Sequence, residues 1–266
     1  MTGTAPSGAD DPAKATGTEF DDLAALYDRT RGGEPRGDEY AADIDRRIPP
    51  GDGPILEIGV GTGVVALGPL RRGRRVAGLD LSAPMLDRAF PRLGPVLVRA
   101  DASAMPLSTA SAAHAVSVWV LHAVDDPVAL FAEAARVIRP GGRYVVCSAQ
   151  HPHPDDRVGQ VISDMARRVD TLLGHPRPRG VTADEVAGWA ATAGFTATLE
   201  HLSRAWWASP ADELEAIERR AWPAMRRLDD AALAKATAPA IEALASMSTA
   251  ESLRRAVVDL LVLTRP

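Results

Sequence analysis

Three glycines at alternate positions follow a short apolar run in the segment ILEIGVGTGVVAL, residues 55–67. This spacing of Gly59, Gly61 and Gly63 lets backbone N–H groups and the amino end of the next helix approach a ligand closely. The spacing is GxGxG, whereas dinucleotide sites typically carry GxGxxG. The turn therefore predicts a nucleotide-like ligand without specifying a dinucleotide.

Carboxylates stand near this turn and at the ends of the next two predicted strands. Glu57 lies in the first strand, two residues before the first glycine. Asp80 ends the second strand, about twenty positions after the turn, where a carboxylate can accept hydrogen bonds from two ribose hydroxyls. Asp101 ends the third strand and could accept a hydrogen bond from an exocyclic amine. In a parallel sheet such strand ends face one ligand site.

The elements that must position these residues alternate between strand and helix. Five apolar runs of strand length are predicted at residues 55–59, 75–80, 95–101, 113–120 and 143–150. Helical patterns separate them, and Ser82 is suited to be the N-cap of one such helix. The alternation predicts a parallel sheet with helices on both faces.

Beyond Gln150 the alternation loosens. Residues 151–181 are polar and proline-rich with one helix inside, and a capping box of Thr182 and Glu185 opens the next helix. A sixth strand is predicted at 196–202 and a seventh at 256–264. Residues 209–248 between them are helical in pattern and too long for a hairpin loop, which indicates a helical insertion over one end of the sheet.

Composition excludes several classes of protein. The net charge of −5 argues against a nucleic-acid binder, and no apolar run approaches the ~20 residues of a membrane span. The single cysteine, Cys147, cannot form an internal disulfide, and no signal peptide is visible. These features favour a reducing, cytoplasmic setting.

Taken together, these motifs resemble the class I methyltransferases that use S-adenosylmethionine, especially the small-molecule branch. The resemblance rests on EIGVGTG, GLDLS, RADASAMP and VWVLHAVDDPVALFAEAARVIRPGGRYVV. It covers residues 27–148 closely and the remainder in outline. It implies an α/β fold with a Rossmann-like, doubly wound sheet of seven strands, the last one antiparallel, and a helical insertion or lid between strands six and seven.

The resemblance also implies which residues bind S-adenosylmethionine, with S-adenosylhomocysteine as the product. Glu57 and the three glycines match the motif that wraps the methionine part. Asp80 and Leu81 match the ribose-binding acid and the residue against adenine, and Asp101 and Ala102 match the pair that reads the adenine edge. The remaining matched positions are Val118 and Trp119, which line the methionine part and the methyl group, and Tyr27 and Arg31, which belong to an N-terminal helix that closes over the site.

The sulfonium methyl group of S-adenosylmethionine is already activated, so a general base helps when the acceptor is a neutral hydroxyl. The candidate catalytic residues are His122 and His151, with Tyr27 as a further polar contact; His122 could instead pack beside the site. The stretch HPHPDD resembles a metal cluster, but no further ligands support it, and no metal is predicted.

These observations predict a disordered tail over residues 1–19 and one methyltransferase domain over 20–266. That domain would comprise cap helices at 20–50, the second of them running from Asp38 to Ile48, a cofactor-binding core at 54–150, and lid and substrate elements at 151–181 and 205–250. We expect methyl transfer to a small organic acceptor, for example in secondary metabolism. The protein would act as a monomer or homodimer, without nucleic-acid or membrane partners. Two alternatives stay open: a nicotinamide-dependent oxidoreductase, which would not need Glu57 or Asp101, and a cofactor-binding protein that transfers nothing.

Overall fold

A computed structural model describes residues 18–21, 24–25, 27–30, 32–51, 53–174 and 181–266. The predicted tail therefore lies almost wholly outside the described residues. In the described part, seven strands form one sheet: β1 (Ile55–Ile58), β2 (Val76–Asp80), β3 (Leu97–Arg99), β4 (His114–Val118), β5 (Arg143–Pro152), β6 (Thr196–Ala208) and β7 (Ser252–Thr264).

The order of the strands is β3-β2-β1-β4-β5-β7-β6. Strands β1 to β5 pair in parallel, and β7 runs antiparallel to both β5 and β6. The predicted seven-stranded, doubly wound sheet with an antiparallel last strand is confirmed. Because the order reverses direction at β1 and β4, their carboxyl ends border the crevice where open α/β sheets bind ligands.

The described helices are α1 (Thr18–Asp21), α2 (Tyr27–Thr30), α3 (Gly33–Asp45), α4 (Leu67–Arg71), α5 (Ala83–Leu93), α6 (Pro127–Val137), α7 (Arg157–Leu172), α8 (Ala183–Thr192), α9 (Pro210–Glu218), α10 (Pro223–Arg226) and α11 (Asp230–Ala245). A 3₁₀ turn at Leu121–Ala123 follows β4. The predicted caps are present: Ser82 Oγ accepts from the Met85 N–H, and Thr182 and Glu185 form a capping box.

Two apolar layers enclose the sheet. On one face α6 and α8 pack against it, with Phe131 and Val186 fully buried. On the other face α3 and the region of α4 pack on β1, β4 and β5 through residues such as Tyr40 and Ile44. Every residue of β1 is buried, which is why this strand is a continuous apolar run interrupted only by Glu57.

Four helices form a separate unit beyond the extended ends of β5, β6 and β7. Helices α7, α9, α10 and α11 share their own apolar cluster, which includes Met165, Met225 and Leu233. Buried Arg254 of β7 ties the unit to the sheet, since its guanidinium contacts Asp156 at 2.8 Å and Glu213 at 3.0 Å. The predicted insertion between strands six and seven is thus present as α9 to α11.

Several predicted boundaries are wrong. The second N-terminal helix begins at Gly33 and not at Asp38. The prediction was wrong because Pro35 and Gly37, which are typical of loops, lie within the first turns of this helix. Gly37 is required there: a Cβ would lie 2.5 Å from the Val64 carbonyl oxygen. Strand four ends at Val118, because the next residue has a φ of 60°.

The sixth strand continues to Ala208, well past the predicted end at residue 202, because β7 pairs with it over its whole length. Trp206 and Trp207 therefore belong to β6 and not to the insertion. Trp206 lies beneath the Arg254 guanidinium, at 5.7 Å from Cζ to the ring centroid, and Trp207 is exposed. The helical segment between β6 and β7 starts with α9 and not at residue 205.

Candidate active site

The glycine turn after β1 uses its three glycines for two different reasons. All three have positive φ, at 74°, 53° and 80° for Gly59, Gly61 and Gly63. A Cβ on Gly59 would overlap Val120, and one on Gly63 would lie 2.9 Å from Leu93. A Cβ on Gly61 would project into open space. Of the three glycines, only the middle one therefore leaves open space beside its Cα that a ligand can occupy.

Asp80 lies beside this open glycine at the end of β2. Its Oδ2 accepts from the Gly61 N–H at 2.8 Å, and its Oδ1 accepts from the Ser82 N–H at 2.9 Å. Burial raises the pKa of this carboxyl, opposed by those backbone hydrogen bonds. A carboxylate offers about four lone-pair positions. Asp80 therefore fixes the turn and keeps capacity to accept from a ribose.

The end of β3 supplies the predicted adenine contacts. Asp101 is exposed, and its Oδ1 accepts from both the backbone N–H and the hydroxyl of Ser103, at 2.8 and 2.7 Å. Its Oδ2 has no partner among the described residues. Leu81 follows Asp80 and is 46% exposed, an unusual state for a leucine beside a sheet, and Ala102 is half-buried. These positions offer an apolar face and a polar edge.

Glu57 lies beneath the turn and not on its open side. Its carboxyl is buried between β1, α3 and α4, beside Ile44 and Val116. Oε2 has no hydrogen-bond partner within the described ranges. Burial raises the pKa of this carboxyl to about 8, opposed by a hydrogen bond from the Ala66 N–H. This placement indicates a role in holding the turn, and direct contact of Glu57 with a ligand stays a prediction.

The end of β4 is strained. Half-buried Trp119 has a φ of 60°, which costs an L-residue roughly 1–2 kcal/mol. Its ring meets Tyr40 edge to face at 6.0 Å, and its buried Nε1 has no partner in the described part of the chain. Val118 ends the strand beside it, and the pairing of β5 with β7 has a bulge at the adjacent Ser148. Strain and bulges of this kind recur at functional sites.

The N-terminal segment lies across this end of the sheet. Asp28 in α2 accepts from the Thr62 hydroxyl at 2.5 Å and pairs with Arg92 at 2.6 Å. In α1, Asp21 accepts from the Ser82 hydroxyl, and the Phe20 ring lies 6.4 Å from His122. Helix α1 therefore bridges the ends of β2 and β4.

Of the two residues predicted in this segment, Tyr27 opens α2 and is half-buried. Arg31 lies outside the described residues. The sequence interpretation missed Asp28 and Thr62, although Asp28 directly follows Tyr27 and Thr62 stands between two of the glycines. A polar residue inside a glycine turn was the available signal.

The candidate bases occupy different surroundings. His122 is exposed in the 3₁₀ turn after β4. His151 belongs to β5, which extends two residues past the predicted end at Gln150. Its Nε2 lies 3.1 Å from Asp259 on β7. His201 on β6 contacts the other oxygen of Asp259 at 2.9 Å. No group of three metal-ligating side chains arranged for a cation occurs among the described residues.

The residues present fit S-adenosylmethionine. Gly61 provides an open backbone cradle, Asp80 and Asp101 keep acceptor capacity, and Trp119 has an unpartnered indole N–H. These groups stand at the carboxyl ends of strands β1 to β4. None of the helices in the described ranges is long and apolar enough to cross a membrane.

Such a fold and site define a Rossmann-like α/β protein that binds an adenosine-containing ligand at a glycine turn. The family model described as "Methyltransferase domain" matches residues 56–146. The chain is 30% identical over 187 residues to the ubiquinone/menaquinone biosynthesis C-methyltransferase of Desulfotalea psychrophila, covering 66% of this chain and 73% of that protein. The chain therefore belongs to the class I methyltransferase family, whose members use S-adenosylmethionine.

Two further similarities agree with this assignment. The malonyl-[acyl-carrier protein] O-methyltransferase of Hahella chejuensis is 34% identical over 146 residues, 53% of this chain and 51% of that one, so the chain spans about half its length. The Haemonchus contortus phosphoethanolamine N-methyltransferase 2, solved with S-adenosyl-L-methionine, superposes with a TM-score of 0.59 at 18% identity, covering 94% of this chain and 60% of that one. The latter likeness concerns the fold alone.

Proposed function

We propose that the protein transfers a methyl group from S-adenosylmethionine to a small organic acceptor. The observation that carries the proposal is the placement of Gly61, Asp80 and Trp119 at the carboxyl ends of three neighbouring strands. The relatives support the methyl donor. Their printed names differ in acceptor and in the methylated atom, so they do not select an acceptor for this chain.

When bound, S-adenosylmethionine supplies a methyl group on a positively charged sulfur. Asp80 would accept from the ribose hydroxyls, Asp101 and the Ala102 N–H would bind the adenine edge, and Leu81 would cover its face. Val118 and Trp119 would line the methionine part. Holding an acceptor in line with the carbon–sulfur bond can lower such a barrier by about 7–11 kcal/mol.

For an acceptor that must lose a proton, we propose His151 as the general base and Asp259 as the group that orients it. Helices α9 to α11 and the preceding α7 would cover the acceptor side. The division into cap, core and lid is part of this proposal. A small-molecule acceptor needs neither nucleic acid nor a membrane, and both a monomer and a homodimer are compatible with it. A cytoplasmic setting stays a prediction.

Calorimetry with S-adenosylmethionine tests the donor site. Asp80→Asn keeps an acceptor for the Gly61 N–H but removes the charge, so the Kd should rise about 10- to 100-fold, as expected for lost hydrogen bonds to a charged group. Asp87→Asn, an exposed carboxylate on α5, is the matched control and should change nothing. Equal affinities for both variants would contradict the assignment.

Methyl transfer is tested with labelled S-adenosylmethionine and a broad panel of hydroxyl, amine and carbon acceptors. Accumulation of S-adenosylhomocysteine with at least one acceptor is the expected result. Tight cofactor binding without any turnover would favour the alternative of a cofactor-binding protein that transfers nothing. The family assignment already favours a methyltransferase over a nicotinamide oxidoreductase.

A further inference from the structure

We propose that Arg36, supported by Gln150, binds a carboxylate group of the methyl acceptor beside the Trp119 indole. This inference rests on the proposed function and names the class of acceptor, an organic acid that enters with its carboxylate against α3. Nothing in the motifs of the sequence points to Arg36. The assignment comes from three contacts and one missing counter-ion.

Arg36 carries a positive charge that the described residues leave uncompensated. Its Nη2 donates to Gln150 Oε1 at 2.8 Å and reaches the Tyr40 hydroxyl at 3.5 Å, and its Cζ lies 5.8 Å from the Tyr40 ring centroid. No described carboxylate oxygen lies within 4.0 Å of this guanidinium. It is half-buried, so solvent compensates it only in part.

The other arginines near this helix are paired. Just past the end of α3, Arg46 and Arg47 both pair with buried Asp43, and Arg47 also pairs with Glu200. Arg204 of β6 pairs with Asp43 as well. Arg36 has no such carboxylate partner among the described residues.

The position of Arg36 links it to the reaction site. The adjacent residue, Gly37, packs directly on the Val64 carbonyl just past the glycine turn. One helical turn further, Tyr40 meets the Trp119 ring edge to face. Gln150 stands near the carboxyl end of β5, three residues beyond the strand partner of Val118. The guanidinium therefore lies at the same sheet edge as the methionine-lining residues.

Most of the free polar atoms around this point are donors; the Ser148 hydroxyl, buried without a partner among the described residues, can donate or accept. An arginine only donates, so the Gln150 amide oxygen must face it, which leaves the Gln150 NH₂ group to donate elsewhere. The Trp119 Nε1–H also only donates, and it is buried without a partner among described residues. A set of donors around one cation selects an anion. A single guanidinium carries one positive charge, which balances a carboxylate but only half of a phosphate dianion.

The competing assignment is the methionine carboxylate of the cofactor, for which the sequence resemblance names Arg31. The two assignments differ in one measurable respect. If Arg36 serves the acceptor, the cofactor should bind equally well without it, and a free carboxylate should bind next to an already bound cofactor.

The test uses the full chain saturated with S-adenosylhomocysteine and follows the arginine ¹⁵Nε resonances by NMR. Acetate, inorganic phosphate and acetamide are titrated separately, and Arg36→Gln assigns the Arg36 signal. Acetate should shift this signal saturably, acetamide should not, and phosphate should bind more weakly. Arg36→Gln should weaken acetate binding at least about tenfold while changing the affinity for S-adenosylhomocysteine less than about twofold.

Arg88→Gln, at an exposed position of α5, removes the same charge elsewhere. It should leave the affinities for acetate and for S-adenosylhomocysteine unchanged. The absence of a saturable acetate shift, or tighter binding of phosphate than of acetate, would overturn the carboxylate assignment. A loss of S-adenosylhomocysteine affinity in Arg36→Gln would move Arg36 to the cofactor site. Failure of the proposed function has another signature: S-adenosylhomocysteine itself would not bind, and the acetate titration of the unliganded chain would still report on Arg36.

Discussion

The Asp28 carboxylate accepts a hydrogen bond from the Thr62 hydroxyl, with 2.5 Å between Oδ1 and Oγ1, and so joins the N-terminal segment to the glycine turn. Arg92 strengthens this joint, since it pairs with Asp28 and also donates to the Thr62 carbonyl oxygen at 2.9 Å. We expect this contact and the neighbouring α1 contacts to slow the release of a ligand held by the turn.

Replacing Asp28 by alanine should speed release of the cofactor. The variant loses the acceptor for Thr62 and leaves Arg92 without this partner, so the S-adenosylmethionine dissociation rate should rise roughly three- to tenfold, partial exposure of the pair limiting the effect. Stopped-flow fluorescence measures the rate. Asp87→Ala serves as the control, and an identical rate in both variants would show that the joint does not restrict release.

Gly61 and Gly63 of the turn should respond differently to substitution by alanine. Gly63→Ala adds an overlap with Leu93 to the strain of its positive φ, so it should lower the free energy of unfolding by more than the ~1–2 kcal/mol of the strain alone. Gly61→Ala should show only that strain, yet should abolish measurable S-adenosylmethionine binding because its methyl group occupies the open cradle.

Gly73→Ala is the matched control. Gly73 has a φ of 79° and open space around it, but it lies in an exposed turn after α4 and not in the glycine turn. It should destabilise the protein as much as Gly61→Ala does without affecting the ligand. Urea unfolding and calorimetry on the three variants separate packing from ligand approach. Retention of binding in Gly61→Ala would remove the cradle from the site.

The buried Glu57 carboxyl should make stability depend on pH. Its folded-state pKa of about 8 exceeds the ordinary value of 4.5, so between these values the folded chain holds a proton that the unfolded chain has released. The contribution is therefore complete below pH 4.5 and is lost as the pH rises to about 8, with a slope on the order of 1.4 kcal/mol per pH unit.

Glu57→Gln keeps the shape of the side chain without the ionisation. Near pH 5 the variant and the parent should be similarly stable, and near pH 8 the variant should be more stable by a few kcal/mol. Urea unfolding at both pH values gives the difference and cancels the other titrating groups. Parallel pH curves for the two proteins would mean that Glu57 stays ionised in the folded chain.

His151 and His201 share Asp259 but should contribute differently to turnover. Once an acceptor with a titratable proton is found, His151→Gln should lower kcat by about 10²–10⁴-fold, the usual contribution of a general base, with the S-adenosylmethionine Kd unchanged. His201→Gln removes the equivalent contact on the other carboxylate oxygen and should leave kcat within about twofold of the parent. Equal losses in both variants would indicate that the contacts only hold the three strands together.

The parts of the fold that the sequence predicts are those in which local pattern and burial agree. Strand β1 is buried on both faces and appears as an apolar run, and the capping boxes and turns are set by neighbouring residues. The start of α3 was missed because Gly32, Pro35 and Gly37 are typical of a loop; what makes Gly37 suitable for this helix is its contact with Val64, a tertiary relationship.

The same distinction holds for the site. Much of the donor side follows from motifs within the 45 residues from Glu57 to Asp101, although these motifs did not indicate that Glu57 is buried. Arg36 and Gln150 are 114 positions apart, and Asp259 and His151 are 108 apart, so no periodicity connects either pair. The sequence pattern did not indicate the full length of β6, because charged residues, Glu200 and Arg204, occupy inward positions that are usually apolar in a strand.

The separate apolar cluster of α7, α9, α10 and α11 allows the sequence of these helices to vary independently of the glycine turn. Its contact with the sheet includes one buried ion-pair network centred on Arg254, and none of its core residues belongs to the clusters that surround the glycine turn. Substitutions in these helices can accumulate without disturbing the geometry around Asp80. We therefore expect that exchanging this unit between homologues changes the range of acceptors and leaves the donor half unchanged.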